Sequence, residues 1–317
     1  MTSAQLHPPT AAKVQGAVRS DFFTTKQRNA IAGYLFTLPA TIGFFVFVLG
    51  PILATLYISF TDWPIIGEIE WVGLQNYIDL TTTDPFFWKS LTVTTYFASA
   101  SIFLRLIYAF SIASFLNFDV RGKAIFRTLF YMPSIVPIVA SAMIWSWVYN
   151  PDFGLLNWML KSVGLPASRW LSGSETAIPS MILMEIWASS STIIIFLAGL
   201  QGVPRELLEA VEVDGGNWWH RLLAVTMPHM SPYILFNLIL GVVAAFQVFA
   251  NSYVMTGGGP SNSTLFLVLL IYREAFNRNN MGLACAIAWI LFIIIGTLTA
   301  LLFKSSRRWV YYYGEDR

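Results

Sequence analysis

The stretch Leu283–Phe303, LACAIAWILFIIIGTLTALLF, runs for twenty-one residues without a charged side chain. About 20 mostly apolar residues in a helix cross the roughly 30 Å hydrocarbon core of a bilayer. The run therefore reads as a transmembrane helix. Five earlier stretches have the same character, at about Tyr34–Phe60, Leu91–Leu116, Leu129–Val148, Ile178–Leu200 and Tyr233–Met255. None alternates with the two-residue period of a membrane β-strand. Of the 317 residues 56% are hydrophobic and only 11% charged, against about 25% charge in a soluble domain. The mean hydropathy is +0.61. The expected fold is all-α: a polytopic membrane protein with six transmembrane helices.

Charge sets the expected orientation. With the N-terminus inside, the inner segments hold Lys13, Arg19, Lys26 and Arg28, then Arg121, Lys123 and Arg127, then Arg205 and Arg221, and finally Lys304, Arg307, Arg308 and Arg317. The outer segments hold Lys89, Lys161, Arg169, Arg273 and Arg278. The positive-inside rule then places both termini in the cytoplasm and the chain in the cell membrane. The net charge of +2 offers nothing to a nucleic acid. The first 29 residues are polar, contain Pro8 and Pro9, and lack the basic-then-apolar order of a cleavable signal. The first span is thus expected to direct insertion itself. Cys285, the one cysteine, permits no internal disulfide and reads as packing.

The chain reads as one membrane domain, about residues 30–305, between a cytoplasmic segment 1–29 and a cytoplasmic tail 306–317. Pro39 and Pro51 are expected to bend the first span. The connection Pro151–Ala177 reads as a looped cap with a short helix near Leu155–Val163. The run Leu265–Tyr272 is too short to cross, and is expected at the outer surface or re-entering between helices.

No phosphate-cradling loop is present, because Gly257–Pro260 lacks the Gly-Lys-Ser/Thr ending. The chain is therefore not itself an ATPase. His7, His220 and His229 show neither zinc spacing nor a nucleophile nearby. The informative inner loop is about 204–230, beginning PRELLEAVEVDGG at Pro204. Pro204 suits a helix start. Leu207, Leu208 and Val211 fall on one face and Glu206, Glu209 and Glu212 on the other. Gly215 and Gly216 permit a sharp exit. A helix held by membrane lipid usually carries a basic polar face. An acidic one points to a protein partner.

Glu209-Ala210-Val211, Asp214-Gly215 and Thr226-Met227-Pro228 resemble the "EAA" loop of binding-protein-dependent ABC importer permeases. Val211, Gly216 and Met227 depart from that pattern by small or apolar changes. Ser59-Phe60-Thr61-Asp62-Trp63, Val72-Gly73-Leu74-Gln75-Asn76-Tyr77, Asn150-Pro151-Asp152-Phe153-Gly154 and Val254 to Pro260 are similar to the maltose-type and glycerol-phosphate-type sugar permeases. The large periplasmic insert of the maltose permease is missing. The resemblance implies that Glu209, Ala210, Asp214, Gly215 and Pro228 shape a coupling helix for an ATPase subunit. It also implies a second homologous permease, two copies of that cytoplasmic ATPase, which bind the ATP and Mg, and an extracytoplasmic solute-binding protein. No cofactor is expected in this chain. The solute would be a sugar, oligosaccharide or sugar-like molecule such as glycerol phosphate.

Polar residues at membrane depth give the expected solute path. Trp187, Ser189, Ser190, Ser191 and Thr192 lie in the fourth span, and Asn237, Phe246, Gln247, Asn251 and Ser252 in the fifth. Gln247 and Asn251, four apart, are expected on one helical face. Amides, hydroxyls and an aromatic face suit a sugar, and the same groups also serve hydrogen bonding between helices. The resemblance places the solute on these two spans, which selects Trp187, Ser189, Thr192, Phe246 and Gln247; Asn251 is chosen on physical grounds alone. Arg105 and Glu185 are the ionisable residues inside spans. A depth mismatch of a turn or more speaks against their pairing. The rival to an ABC permease is an ion-coupled secondary transporter, for which Glu185 is the one candidate carboxylate. A membrane enzyme is the remaining rival, and no catalytic constellation supports it.

Overall fold

The computed structural model describes residues 24–118 and 121–311. The expected cytoplasmic segment up to residue 23 and the end of the tail from residue 312 lie outside the described residues. The chain divides into two compact units, one up to Ala54 and one from Thr55.

The first unit is built on α1 (Thr25–Phe44), a π-helical turn at Phe45–Leu49 and the start of α2 (Gly50–Ile58). Thr24 caps α1: its hydroxyl accepts from the Gln27 amide, and the Gln27 side chain accepts from the Thr24 amide. Pro39 sits inside α1. Pro51 lacks an N–H, and its ring presses on the carbonyl four residues back. The π turn directly before it, closed by the Gly50 amide on the Phe45 carbonyl, widens the helix at that point.

In the second unit a two-residue ribbon pairs β1 (Thr61–Asp62) antiparallel with β2 (Glu70–Trp71), and α3 (Gln75–Thr82) follows. α4 (Pro85–Asn117) has Asp84 as its N-cap and Pro85 in its first turn. Its 33 residues extend about 50 Å, well past a ~30 Å hydrocarbon core.

The third expected span is a broken helix. α5 (Lys123–Tyr131) continues through a 3-10 turn at Met132–Ile135 and meets α6 (Ile138–Val148) at 106°. Pro133 and Pro137 remove two backbone donors within a few residues, which a straight helix does not survive. α7 (Leu155–Ser162) is the short helix expected in the looped cap. Buried Asn157 organises that cap, donating to the carbonyls of Pro151 and Ser168 and accepting from the Ser168 amide and the Trp170 indole. The fourth span is bent by 46° between α8 (Ala177–Trp187) and α9 (Ser190–Gln201). Here hydroxyls compete for backbone carbonyls: Ser189 donates to Ile186 and Ser190 to Phe130.

α10 (Arg205–Val213) and α11 (Trp218–Arg221) follow. α11 runs through a π turn at Leu222–Thr226 into α12 (Met227–Phe246). The fifth span is therefore Trp218–Phe246, which starts and ends earlier than the expected Tyr233–Met255. After Phe246 the backbone leaves the helix, and Ala250–Met255 forms a separate α13. No proline or glycine explains that break. Phe249, held between the rings of Tyr253 and Tyr272 at 5.3 Å from each, shows packing overriding local propensity.

α14 (Leu267–Tyr272) enters the core, with Leu265–Leu267, Leu269 and Leu270 at 0–1% exposure, and packs on α4 and on the last helix, α15 (Met281–Ser306). Of the two placements expected for this run, the structure takes the one between helices. The Thr94 hydroxyl accepts the amide of Leu267, its first residue. Just beyond, buried Glu274 bonds Arg278 at 2.6 Å. Desolvation holds this carboxyl above its usual range, with Arg278 pulling it back.

Among the described residues four helices are long and apolar enough to cross a membrane, and the two bent pairs bring the total to six if each is one span. The chain is an all-α polytopic membrane protein. Its second unit has two apolar clusters: α4 with α8, α12, the α14 region and α15, and further along α4 with α9 and Met230.

A β-carbon at Gly282 would collide with the Thr61 carbonyl oxygen, whereas one at Gly296, on the same helix, meets nothing within 4 Å. Gly282→Ala should destabilise the protein by about 1–3 kcal/mol. Gly296→Ala should be neutral or stabilising by up to ~1 kcal/mol. Thermal unfolding in detergent compares the two; an equal response would show that the ribbon at Thr61 yields freely.

Candidate coupling surface and solute path

α10 ends as its sequence requires. The Gly216 amide bonds the Val211 carbonyl at 2.8 Å and the Gly215 amide bonds Glu212 at 3.0 Å, a Schellman pair. Gly215 sits at φ +77, where a side chain is strained, and a β-carbon at Gly216 would lie 2.5 Å from Val211 Cγ1. The two glycines do different work: one supplies the left-handed turn, the other the close return. Leu208 and Val211 are half-buried, while Leu207 stays exposed. Glu212 is held by an ion pair with Arg221 of α11. Glu206, Glu209, Ala210, Val213 and Asp214 are left facing outward, with Val213 at 88% exposure. Pro228 stands in the first turn of α12 and, with Leu207, Val225, His229 and Tyr311, lines a groove of about 350 Å³ behind α10. The Tyr311 amide closes that side by donating to Ser231 Oγ at 2.8 Å.

The six solute-path residues do not share one surface. Phe246 is buried in the core cluster. Thr192 is buried, and buried Ser189 spends its hydroxyl on Ile186. Gln247 and Asn251 do not lie on one helical face, because the helix stops at Phe246. Gln247 is the residue after the last turn of α12, exposed, while Asn251 belongs to α13 and is 7% exposed. Gln247 lines a groove of about 530 Å³ along α15, beside Leu291, Ile295, Gly296, Thr299 and Phe303. Two buried oxygens, Asn251 Oδ1 and Thr299 Oγ1, have no hydrogen-bond partner. Asn237, also buried, bonds the carbonyl of Tyr233 in its own helix. Half-buried Trp187 meets Trp145 of α6 edge to face at 5.6 Å, and Trp145 in turn contacts Tyr149. Neither Trp145 nor Thr299 stood out in the sequence, where each is one more residue of an apolar run.

Arg105 and Glu185 pair after all, Nη1 to Oε1 at 3.5 Å. An arginine side chain reaches across more than a helical turn, which removes the depth objection. Gly241 of α12 makes the room: a β-carbon there would lie 2.9 Å from Arg105 Nη2.

Residues 105–309 match the family model of the binding-protein-dependent transport system inner membrane component. A probable ABC transporter permease of Bacillus subtilis, YesP, is 38% identical over 294 residues, covering 92% of this chain and 95% of that protein. The trehalose/maltose transport system permease MalF of Thermococcus litoralis is 33% identical over 284 residues, covering 89% and 96%. The fold matches a crystal structure of a bacterial ABC transporter that imports the acidic polysaccharide alginate, with TM-score 0.78, 21% identity, and 89% and 96% of the two chains covered. The match runs from Arg105 in the second span to the end of α15 and takes in α10 with its Schellman turn, and on that ground the chain belongs to the family of inner membrane components of binding-protein-dependent transport systems, as an ABC transporter permease.

Proposed function

We propose that this permease carries a sugar, an oligosaccharide or a sugar-like solute such as glycerol phosphate into the cell, driven by ATP hydrolysed elsewhere. The named substrates of the relatives support the class: trehalose and maltose for one, multiple sugars for another. The proposed complex contains a second, similar permease, two copies of a cytoplasmic ATPase holding ATP and Mg, and a solute-binding protein outside. A related structure contains a periplasmic protein carrying an alginate pentasaccharide, which supports the last of these. This subunit transports without chemistry of its own. Both termini face the cytoplasm in this reading.

The observation that carries the mechanism is the outward face of α10. Glu209, Ala210 and Asp214 are exposed on a helix whose opposite side is anchored by Leu208 and Val211. An ATPase that grips this face on closing pushes on α9 and α12, the two spans that α10 joins. The proposed solute contacts Trp187, Gln247 and Asn251 lie just past the far ends of those two helices, at the end of α8, after the last turn of α12 and in α13. An ion-coupled transporter needs a free midplane carboxylate, and Glu185 is committed to Arg105.

Three measurements test the reading. Gly215→Val puts a branched residue at φ +77, a strain of about 1–2 kcal/mol, and crowds the exposed face. Membrane insertion should be normal and copurification of the ATPase reduced; wild-type association and transport would separate α10 from coupling. Gln247→Leu, Asn251→Leu and Trp187→Ala should each weaken apparent solute affinity several-fold, since one hydrogen bond contributes about 0.5–1.5 kcal/mol. Unchanged affinity in all three, with normal complex yield, would remove the site from these spans. For orientation, cysteines at Ser3 and at exposed Ser261 in a Cys285→Ala background should differ toward an impermeant thiol reagent. Position 261 should label in intact cells and position 3 should not.

A further inference from the structure

Arg105 and Glu185 form a charge pair between packed helices, with side chains only 14% and 23% exposed. Ionised groups are costly at membrane depth and are retained there for a reason. Stability alone is a poor one. Apolar side chains of like volume usually hold such a site as firmly as a buried pair does. This pair is also incompletely satisfied: its contact is 3.5 Å, and Arg105 Nε has no hydrogen-bond partner.

Its position is specific. Arg105 belongs to α4, Glu185 to α8 three residues before the 46° bend, and Gly241 to α12. Three spans thus meet at one guanidinium, and Gly241 lets it in by having no β-carbon. Two of them, the fourth and the fifth, are those joined by α10. From Arg105 both apolar clusters of α4 lie within a few turns, one on each side.

We propose that Arg105 is a positioning residue for transport: through Glu185 and against Gly241 it keeps the fourth and fifth spans in register with the second. A displacement at α10 then moves the solute-facing half of the bundle as one body. The inference rests on the reading of α10 as the coupling helix. It assigns to this pair the ratio of solute moved to ATP consumed, and not the binding of either.

The test uses the whole importer, with its ATPase and binding protein, in proteoliposomes. Arg105→Gln and Glu185→Gln each strand one buried charge and should lower the yield of assembled complex. The double variant R105Q/E185Q strands none, so its yield should return toward wild type. A merely structural pair predicts that transport returns with it. A positioning pair predicts that ATP consumed per solute imported stays raised at least several-fold in the double variant. Gly241→Ala supplies a second reading with both charges kept, because its β-carbon displaces the guanidinium; the same ratio should rise. A wild-type ratio in the double variant overturns the proposal, as does a wild-type ratio in Gly241→Ala. Absence of ATP-dependent uptake in the wild-type complex would instead fell the importer reading, and this proposal with it.

Discussion

Inside a bilayer no water stands ready to satisfy a backbone amide or carbonyl, and a helix that breaks there must find partners within the protein. Three of the apolar runs in this chain break. Hydroxyls answer much of what the breaks release. Ser134 donates to the Tyr131 carbonyl and Ser190 to that of Phe130, both at the 106° turn of the third run. Ser189 closes on Ile186 at the bend of the fourth, and Ser252 reaches the Thr264 carbonyl beyond the end of the fifth. Serines and threonines that look like candidate sugar contacts are for the most part consumed by this demand. Among the described residues, buried side-chain oxygens without a partner remain at Ser90, Asn251, Ser263 and Thr299, and exposed Gln247 stands beside Thr299 in one groove.

That constraint also explains what was legible in the sequence. The sixth span was plain, because an unbroken apolar run and an observed helix coincide almost residue for residue at Met281–Ser306. The helix at α10 was equally plain, since Pro204, the three acids on one face and Gly215–Gly216 fix its start, its faces and its exit locally. The breaks were not plain. Pro133 and Pro137 could have announced the third, but the bend of the fourth comes from hydroxyls and that of the fifth from aromatic packing around Phe249. Hydropathy counts such residues without knowing their partners. The false shared face of Gln247 and Asn251 followed from extending helical periodicity through that unannounced break.

The Arg105–Glu185 contact shows the opposite failure. Counting turns from the ends of two helices gave a depth difference, but side-chain reach and the vacancy at Gly241 closed it. A glycine in an apolar helix carries no sign of what it admits. At Gly199 the admitted group is the ring of Tyr233, and a β-carbon there would lie 2.8 Å from it and 2.9 Å from Met230 Sδ. Gly199 lets the fourth and fifth spans touch, and Gly241, at a different height of the fifth, admits a charge from the second.

Close contact of this kind decides how a push can travel. α9 and α12 are joined by the segment that holds α10, and they pack on each other where Gly199 meets Tyr233. Interiors this tightly packed yield in discrete steps and do not stretch. A force on α10 therefore cannot part α9 from α12 without opening the Gly199 contact. The helices themselves break farther on, at Ala188–Ser189 before α9 and at Gln247–Phe249 after α12. Both breaks lie beside the proposed solute contacts, Trp187 on one and Gln247 on the other. In a transport permease, breaks placed next to the proposed solute contacts would let a displacement at one face of the membrane change the site within it.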